Sequence, residues 1–113
     1  MWRVEHQGFV VGIQPALADN YIHLVAPENT DAAIAIDPAD AEQALAAARA
    51  LGRRITHVLN THHHWDHTGG NEALAQEGAE VWGPANETIP ARTRGLSPEA
   101  RVVCAGVSIK VLD

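Results

Sequence analysis

Apolar positions in the first third of the chain fall in short, closely spaced runs. FVVGI (9–13) is broken off by Pro15, NYIHLVA (20–26) follows, and AAIAID (32–37) comes after the turn-like PENTD (27–31). Runs of this length, bounded by turn residues, predict strands, and their close spacing predicts an antiparallel meander. The period then changes. Ala41, Ala44, Leu45, Ala48 and Leu51 recur at helical spacing and form one apolar stripe. Asp37 is placed to cap this helix, Pro38 suits its first position, and Asp40 falls in the first turn, where the helix dipole favours a carboxylate. Arg49 lies in the last turn and Gly52 offers a left-handed stop. A stripe made mostly of alanine predicts close packing on a sheet.

ITHVLN (55–60) reads as the next strand, residues 71–77 as a short helix ending at Gly78, and residues 80–82 as a further strand. The stretch 83–98 holds three of the six prolines and reads as loop. RVVCAGVSIKVLD predicts two strands about an Ala105-Gly106 turn, with Val107, Ile109 and Val111 alternating against Ser108 and Lys110. Strands alternating with helices predict an α/β fold, and 113 residues allow one domain at most.

Charge and cysteine usage narrow the class. Eight basic residues face 14 acidic ones for a net charge of −6, and Arg53-Arg54 is the only basic pair. Nucleic acid and anionic membrane surfaces are thereby excluded as expected partners. The apolar runs fall short of a membrane span, and MWRVEHQGFVVGIQ lacks the apolar core of a signal peptide. The single cysteine, Cys104, can form no internal disulfide. A cytoplasmic protein is expected, with Cys104 a small buried hydrophobe.

One segment carries the chemistry. THHHWDHTGGN (61–71) packs four histidines and an aspartate directly after a strand, the end at which α/β folds place their sites. In an extended segment His62 and His64 point to one side and His63 to the other, so His62 and His64 can chelate one metal. A turn at Thr68-Gly69-Gly70 can aim Asp66 and His67 at a second position beside it. Imidazole and carboxylate suit Zn²⁺, while iron and manganese also tolerate this set. Two metals a few Å apart can hold a bridging hydroxide that is nucleophilic at neutral pH. His57 and His23 lie within strands and are expected to be structural, and His6 to be solvated.

His62-x-His64-x-Asp66-His67 is the signature of the metallo-β-lactamase fold superfamily, and the fuller THHHWDHTGGN resembles its glyoxalase II branch, the hydroxyacylglutathione hydrolases. DNYIHLV (19–25), AAIAIDP (32–38) and VWGPANETIPARTRGL (81–96) are similar to that branch as well. The resemblance implies metal site 1 at His62 and His64, and site 2 at Asp66 and His67. Asp66 is also implied to be catalytic, holding the bridging hydroxide, with two Zn²⁺ per complete site. His63 is implied to be structural, and Trp65 is expected to pack beside the site. The activity implied is hydrolysis of a small glutathione thioester, S-D-lactoylglutathione, to glutathione and D-lactate by metal-bound hydroxide. Persulfide dioxygenase or lactonase chemistry in the same superfamily is the nearby alternative.

The ligand set is short of a full site. A catalytic zinc takes three protein ligands and a water, whereas site 1 has two. No histidine follows His67, and Glu72, Glu77, Glu80, Glu87, Glu99 and Asp113 form no ligand-like cluster in the sequence. In the resembled family a third histidine follows a strand like VSIKVLD, and a bridging aspartate and last histidine come later still. The expected architecture is thus the N-terminal half of an αββα sandwich, a partial domain over 1–113: a mixed sheet with two helices and no second sheet. Its open apolar face would invite self-association. The reading from a different class is a non-catalytic metal-binding fragment or interaction module.

Overall fold

The computed structural model describes residues 1–112. Seven strands build one mixed sheet in chain order: β1 (Trp2–His6), β2 (Phe9–Ala16), β3 (Asn20–Pro27), β4 (Ala32–Ile36), β5 (Arg54–Leu59), β6 (Glu80–Pro84) and β7 (Arg94–Leu96). The first four are antiparallel, as the meander pattern predicts, and β4 through β7 are parallel. Helix α1 (Ala41–Ala50) makes the β4–β5 crossover, and the short α2 (Trp65–Thr68) and α3 (Asn71–Gln76) make the next. Parallel neighbours need such crossovers, which bring the connections after β4, β5 and β6 to one edge of the sheet.

The helices cover one face. Ile22, Leu24, Ala33, Ala35, Val58 and Val81 are buried in the same cluster as Ala44, Ala47, Ala48, Leu51 and Leu74. Small side chains let α1 lie close to the strands. A Cβ built on Gly12 of β2 would stand 2.9 Å from Leu51 Cδ1. The opposite face is covered by a hairpin, β8 (Arg101–Cys104) and β9 (Val107–Lys110), turning at Ala105-Gly106. Its Cys104 joins Ile34, Trp82 and Leu96 in a second buried cluster, flanked by Val102, Val107 and Ile109.

Several expectations are corrected. β1 was not anticipated, because WRVEH alternates too briefly to stand out. β2 continues through Pro15 to Ala16. The stretch 83–98 is not all loop, since β7 pairs with β6. Asp37 does not cap α1. Asp40 does, accepting from the Glu42 and Gln43 amides at 2.9 and 3.4 Å. Nor is a second layer wholly lacking, since the hairpin forms a separate two-stranded sheet over part of the open face. The remainder of that face is exposed as foreseen. Strand register aligns Trp2 with Ile13 and His23, and Val4 with Val11 and Val25. Trp2, Val4 and Tyr21 are exposed there.

The Gly69-Gly70 pair has a packing reason. Gly70 N–H donates to Pro38 O at 2.7 Å, and a Cβ at Gly70 would lie 2.6 Å from that same oxygen and 2.9 Å from Ala41 N. A Cβ at Gly69 would collide with Ala39 O. Overpacking against fixed backbone typically costs about 1–3 kcal/mol. Gly70→Ala is therefore expected to lower unfolding free energy by about 2 kcal/mol in urea titration, whereas Gly78→Ala, in open space at positive φ, should lose about 1 kcal/mol through backbone strain alone.

Candidate metal centre

The centre lies where β4, β5 and β6 end. Beyond Leu59 the chain bends at Thr61-His62, is extended again at His64, then tightens into α2, so Asp66 and His67 are presented from one helical turn. The turn thus begins at Trp65, ahead of the expected Thr68-Gly69-Gly70. His62 and His64 have ring centroids 5.0 Å apart, and His62 and His67 3.9 Å apart. His67 Nε2 is 3.5 Å from Asp66 Oδ2. His62, His64, Asp66 and His67 therefore gather at one place. Trp65 departs from expectation: it does not pack beside them but is 72% exposed.

Asp37, first read as a helix cap, belongs to this centre. It adopts φ +51° at the C-terminal end of β4, and its carboxylate accepts Thr61 N–H at 2.9 Å and Thr61 Oγ1–H at 2.7 Å. His67 Nδ1 lies 3.1 Å from Asp37 Oδ2. Having given its proton to Asp37, Thr61 Oγ1 accepts from His62 Nδ1 at 2.7 Å. His62 thus directs Nδ1 to Thr61 and His67 directs Nδ1 to Asp37, which turns each Nε2 away from these partners, that of His67 toward Asp66. Carboxylate partners of this kind fix the tautomer of metal-binding histidines. Asp37, His62 and His67 can offer ligand atoms within 4.8 Å of one another. The Asp37 carboxylate already accepts two hydrogen bonds from Thr61 and faces His67 Nδ1, so it serves better behind the imidazoles than as a ligand. The donor set fits a divalent metal such as zinc.

Three asparagines complete the frame. Asn20 Nδ2 donates to Asp66 O at 2.7 Å and to Asp66 Oδ2 at 3.2 Å. Asn60 Nδ2 donates to His67 O at 3.2 Å and accepts at Oδ1 from Asn71 Nδ2 at 2.6 Å. Asn60 and Asn71 are buried polar residues, a pattern that marks a specified network. Their only signal in the sequence was their place beside the histidine cluster. His63 turns to Glu87: its N–H donates to Glu87 Oε1 at 2.9 Å and its Nδ1 meets the same oxygen, while its ring stands 4.9 Å from that of His64.

Two carboxyls here are held below their ordinary range, Asp66 chiefly by the Asn20 hydrogen bond and Glu87 chiefly by that of His63. Elsewhere, His57 packs edge-on against Trp82 at 5.1 Å and pairs with Glu80 at 3.5 Å, the structural role expected. Cys104 is fully buried, and burial with nearby Glu80 pushes its thiol up to about 12.

The profile of the metallo-beta-lactamase superfamily matches residues 21–102. The chain belongs to the metallo-beta-lactamase superfamily. Among relatives, hydroxyacylglutathione hydrolase of Rhodospirillum rubrum is 46% identical over 100 residues, 86% of this chain and 39% of that protein. A hydroxyacylglutathione hydrolase-like protein of Mus musculus is 50% identical over 88 residues, covering 76% and 31%. The chain spans 31–40% of the length of these curated relatives. ETHE1 from Myxococcus xanthus superposes with a TM-score of 0.68 at 29% identity, over 80% of this chain and 41% of that one. A metallo-beta-lactamase from Staphylococcus aureus reaches 0.74 over 96% and 35%; at 20% identity it speaks for the fold alone.

Because Asp66 is lowered, its ionised form is favoured by folding: that stability is present above the unfolded carboxyl range and is lost as pH falls through the folded value. Asn20→Ala is expected to move the Asp66 titration upward in carboxyl-detected NMR of the metal-free chain.

Proposed function

We propose that this chain carries the metal-binding part of a thioester hydrolase of the hydroxyacylglutathione hydrolase kind, with S-D-lactoylglutathione as substrate and glutathione and D-lactate as products. The observation that supports it most is that the Nδ1 atoms of His62 and His67 are taken up by Thr61 and Asp37, beside His64 and Asp66. Relatives named hydroxyacylglutathione hydrolase at 46% and 49% identity support the substrate class.

In this reading His62 and His64 hold one metal, and Asp66 and His67 hold a second, as Zn²⁺ or, with the same donors, iron or manganese. A divalent metal bound here supplies Lewis acidity toward the thioester carbonyl and acidifies water. The chain's own part is orientation. Asp37 and Thr61 keep both rings in one tautomer, and Asn20 holds the Asp66 carboxylate ionised and fixed. Asp66 accepts a proton-side hydrogen bond from the attacking water and aims its oxygen at the carbonyl. The cytoplasm is the proposed compartment, in keeping with a lone buried thiol; among the described residues no helix is long and apolar enough to cross a membrane.

The test takes the polypeptide at the length its source cell makes, established by intact mass, and assays S-D-lactoylglutathione hydrolysis. Hydrolysis should vanish with chelator, return with Zn²⁺, and fall at least about 100-fold in His64→Ala, on the scale by which lost metal-site partners reduce activity. Tight metal uptake without turnover would replace the hydrolase with a binding module, the second reading, which the two-imidazole first position favours. A single iron with oxygen consumption would move the assignment to a dioxygenase of the same superfamily.

We propose also that the uncovered sheet face about Trp2, Val4 and Tyr21 supports self-association. Sedimentation equilibrium should show a concentration-dependent dimer that Val4→Lys converts to monomer; a monomeric wild-type chain at high concentration would remove this idea.

A further inference from the structure

The metal loop is gripped from two sides by carboxylates 24 residues away in each direction: Asp37 holds Thr61, and Glu87 holds His63. Asp37 serves the ligand rings, as described. Glu87 serves a residue that is no ligand. Between Asn60, whose N–H donates to Trp82 O, and His64, whose carbonyl accepts from His67 and Thr68, residues 61–63 belong to no helix or strand, so their path depends on such outside partners.

We infer that Glu87 is a positioning residue for the metal loop, acting through His63 to set the facing of His62 and His64. One carboxylate oxygen takes both the His63 amide proton, at 2.9 Å, and the His63 ring Nδ1. Pinning backbone and ring of the middle residue fixes the main chain between His62 and His64, and with it the Cα positions from which both rings project. The rings of His62 and His64 stand edge to face at 5.0 Å, and the pinned His63 ring stands edge to face with His64 at 4.9 Å, so the held ring also buttresses its neighbour. Glu87 is itself fastened. Arg92 Nη1 donates to Glu87 O at 2.8 Å and Pro84 O at 2.6 Å, and Asn71 Nδ2 donates to Pro90 O at 3.0 Å. The β6–β7 connection is thus a brace, built by Arg92 and Asn71, that presents one carboxylate to the loop.

The experiment compares wild type, Glu87→Ala, Glu87→Gln, His63→Ala and Glu87→Ala/His63→Ala. Amide hydrogen exchange at 62–64 is read in the metal-free chain, and Zn²⁺ affinity by competition with a chromophoric chelator. Glu87→Ala should speed exchange at His63 and its neighbours and weaken zinc about 10–100-fold, the range for outer partners of metal ligands. Glu87→Gln, which keeps one acceptor, should restore much of both. His63→Ala, which keeps the amide donor, should cost less, and adding it to Glu87→Ala should cost nothing more, since both act through one contact. A merely structural glutamate would lower stability without this pattern. Unchanged exchange and unchanged zinc affinity in Glu87→Ala overturn the inference, as does full additivity in the double variant. Should Glu87→Ala fail to fold, Glu87→Gln compared with Glu87→Leu decides on the same two readouts. The zinc arm rests on the proposed metal reading. A wild-type chain that takes up no zinc defeats that reading alone, and faster or unchanged exchange then upholds or overturns Glu87 by itself.

Discussion

The metal loop owes its place to a backbone contact with no side chain in it. Gly69 and Gly70 lie against the carbonyls of Ala39 and Pro38, close enough that no Cβ fits between, and one hydrogen bond from Gly70 N–H to Pro38 O closes the contact. Two connections leaving neighbouring parallel strands are thereby locked together. Asp37 is one residue before that contact and His67 two residues before Gly69, so the distance between carboxylate and imidazole is set by main chain. Rigid backbone suits this task, since side-chain positioning alone loses precision through rotamer freedom.

From that contact the hydrogen bonding of the centre proceeds outward in one sense. The Asp37 carboxylate accepts from Thr61 and faces His67 Nδ1, and Thr61 in turn accepts from His62. Asn20 and Asn60 hold the short helix from below through main-chain carbonyls. The strain of a positive φ at Asp37 is of the kind that gathers at functional sites, and it is what turns the carboxylate away from α1 and toward Thr61.

Much of this was legible in the residues. Alternation and helical spacing located β3, β4, α1, β5, α3 and the final hairpin, and the crowding of His62, His64, Asp66 and His67 after a strand marked the centre. What was not legible depended on chain segments far apart in sequence. Asp37 and Asp40 both precede an alanine-rich helix, and the sequence reads Asp37 as the cap and Asp40 as a first-turn residue; only the fold shows that Asp40 is the cap while Asp37 faces the histidines. Trp65 is apolar and adjacent to ligands, which favours burial, yet the turn of α2 leaves it in solvent. β7 lay hidden among prolines because three residues carry no period, and its strand character comes from pairing with β6 alone.

The parallel crossovers have one more consequence. Gly52 and Gly78 close α1 and α3 at the edge of the sheet opposite the centre, both at positive φ with nothing within 4 Å of where a side chain would start. Chain can be opened there, or lengthened, without shifting a strand end that bears a ligand. The two connections are therefore natural sites for a fused reporter, a circular permutation or an inserted domain. The fold keeps its capacity for added sequence on one rim and its chemistry on the other.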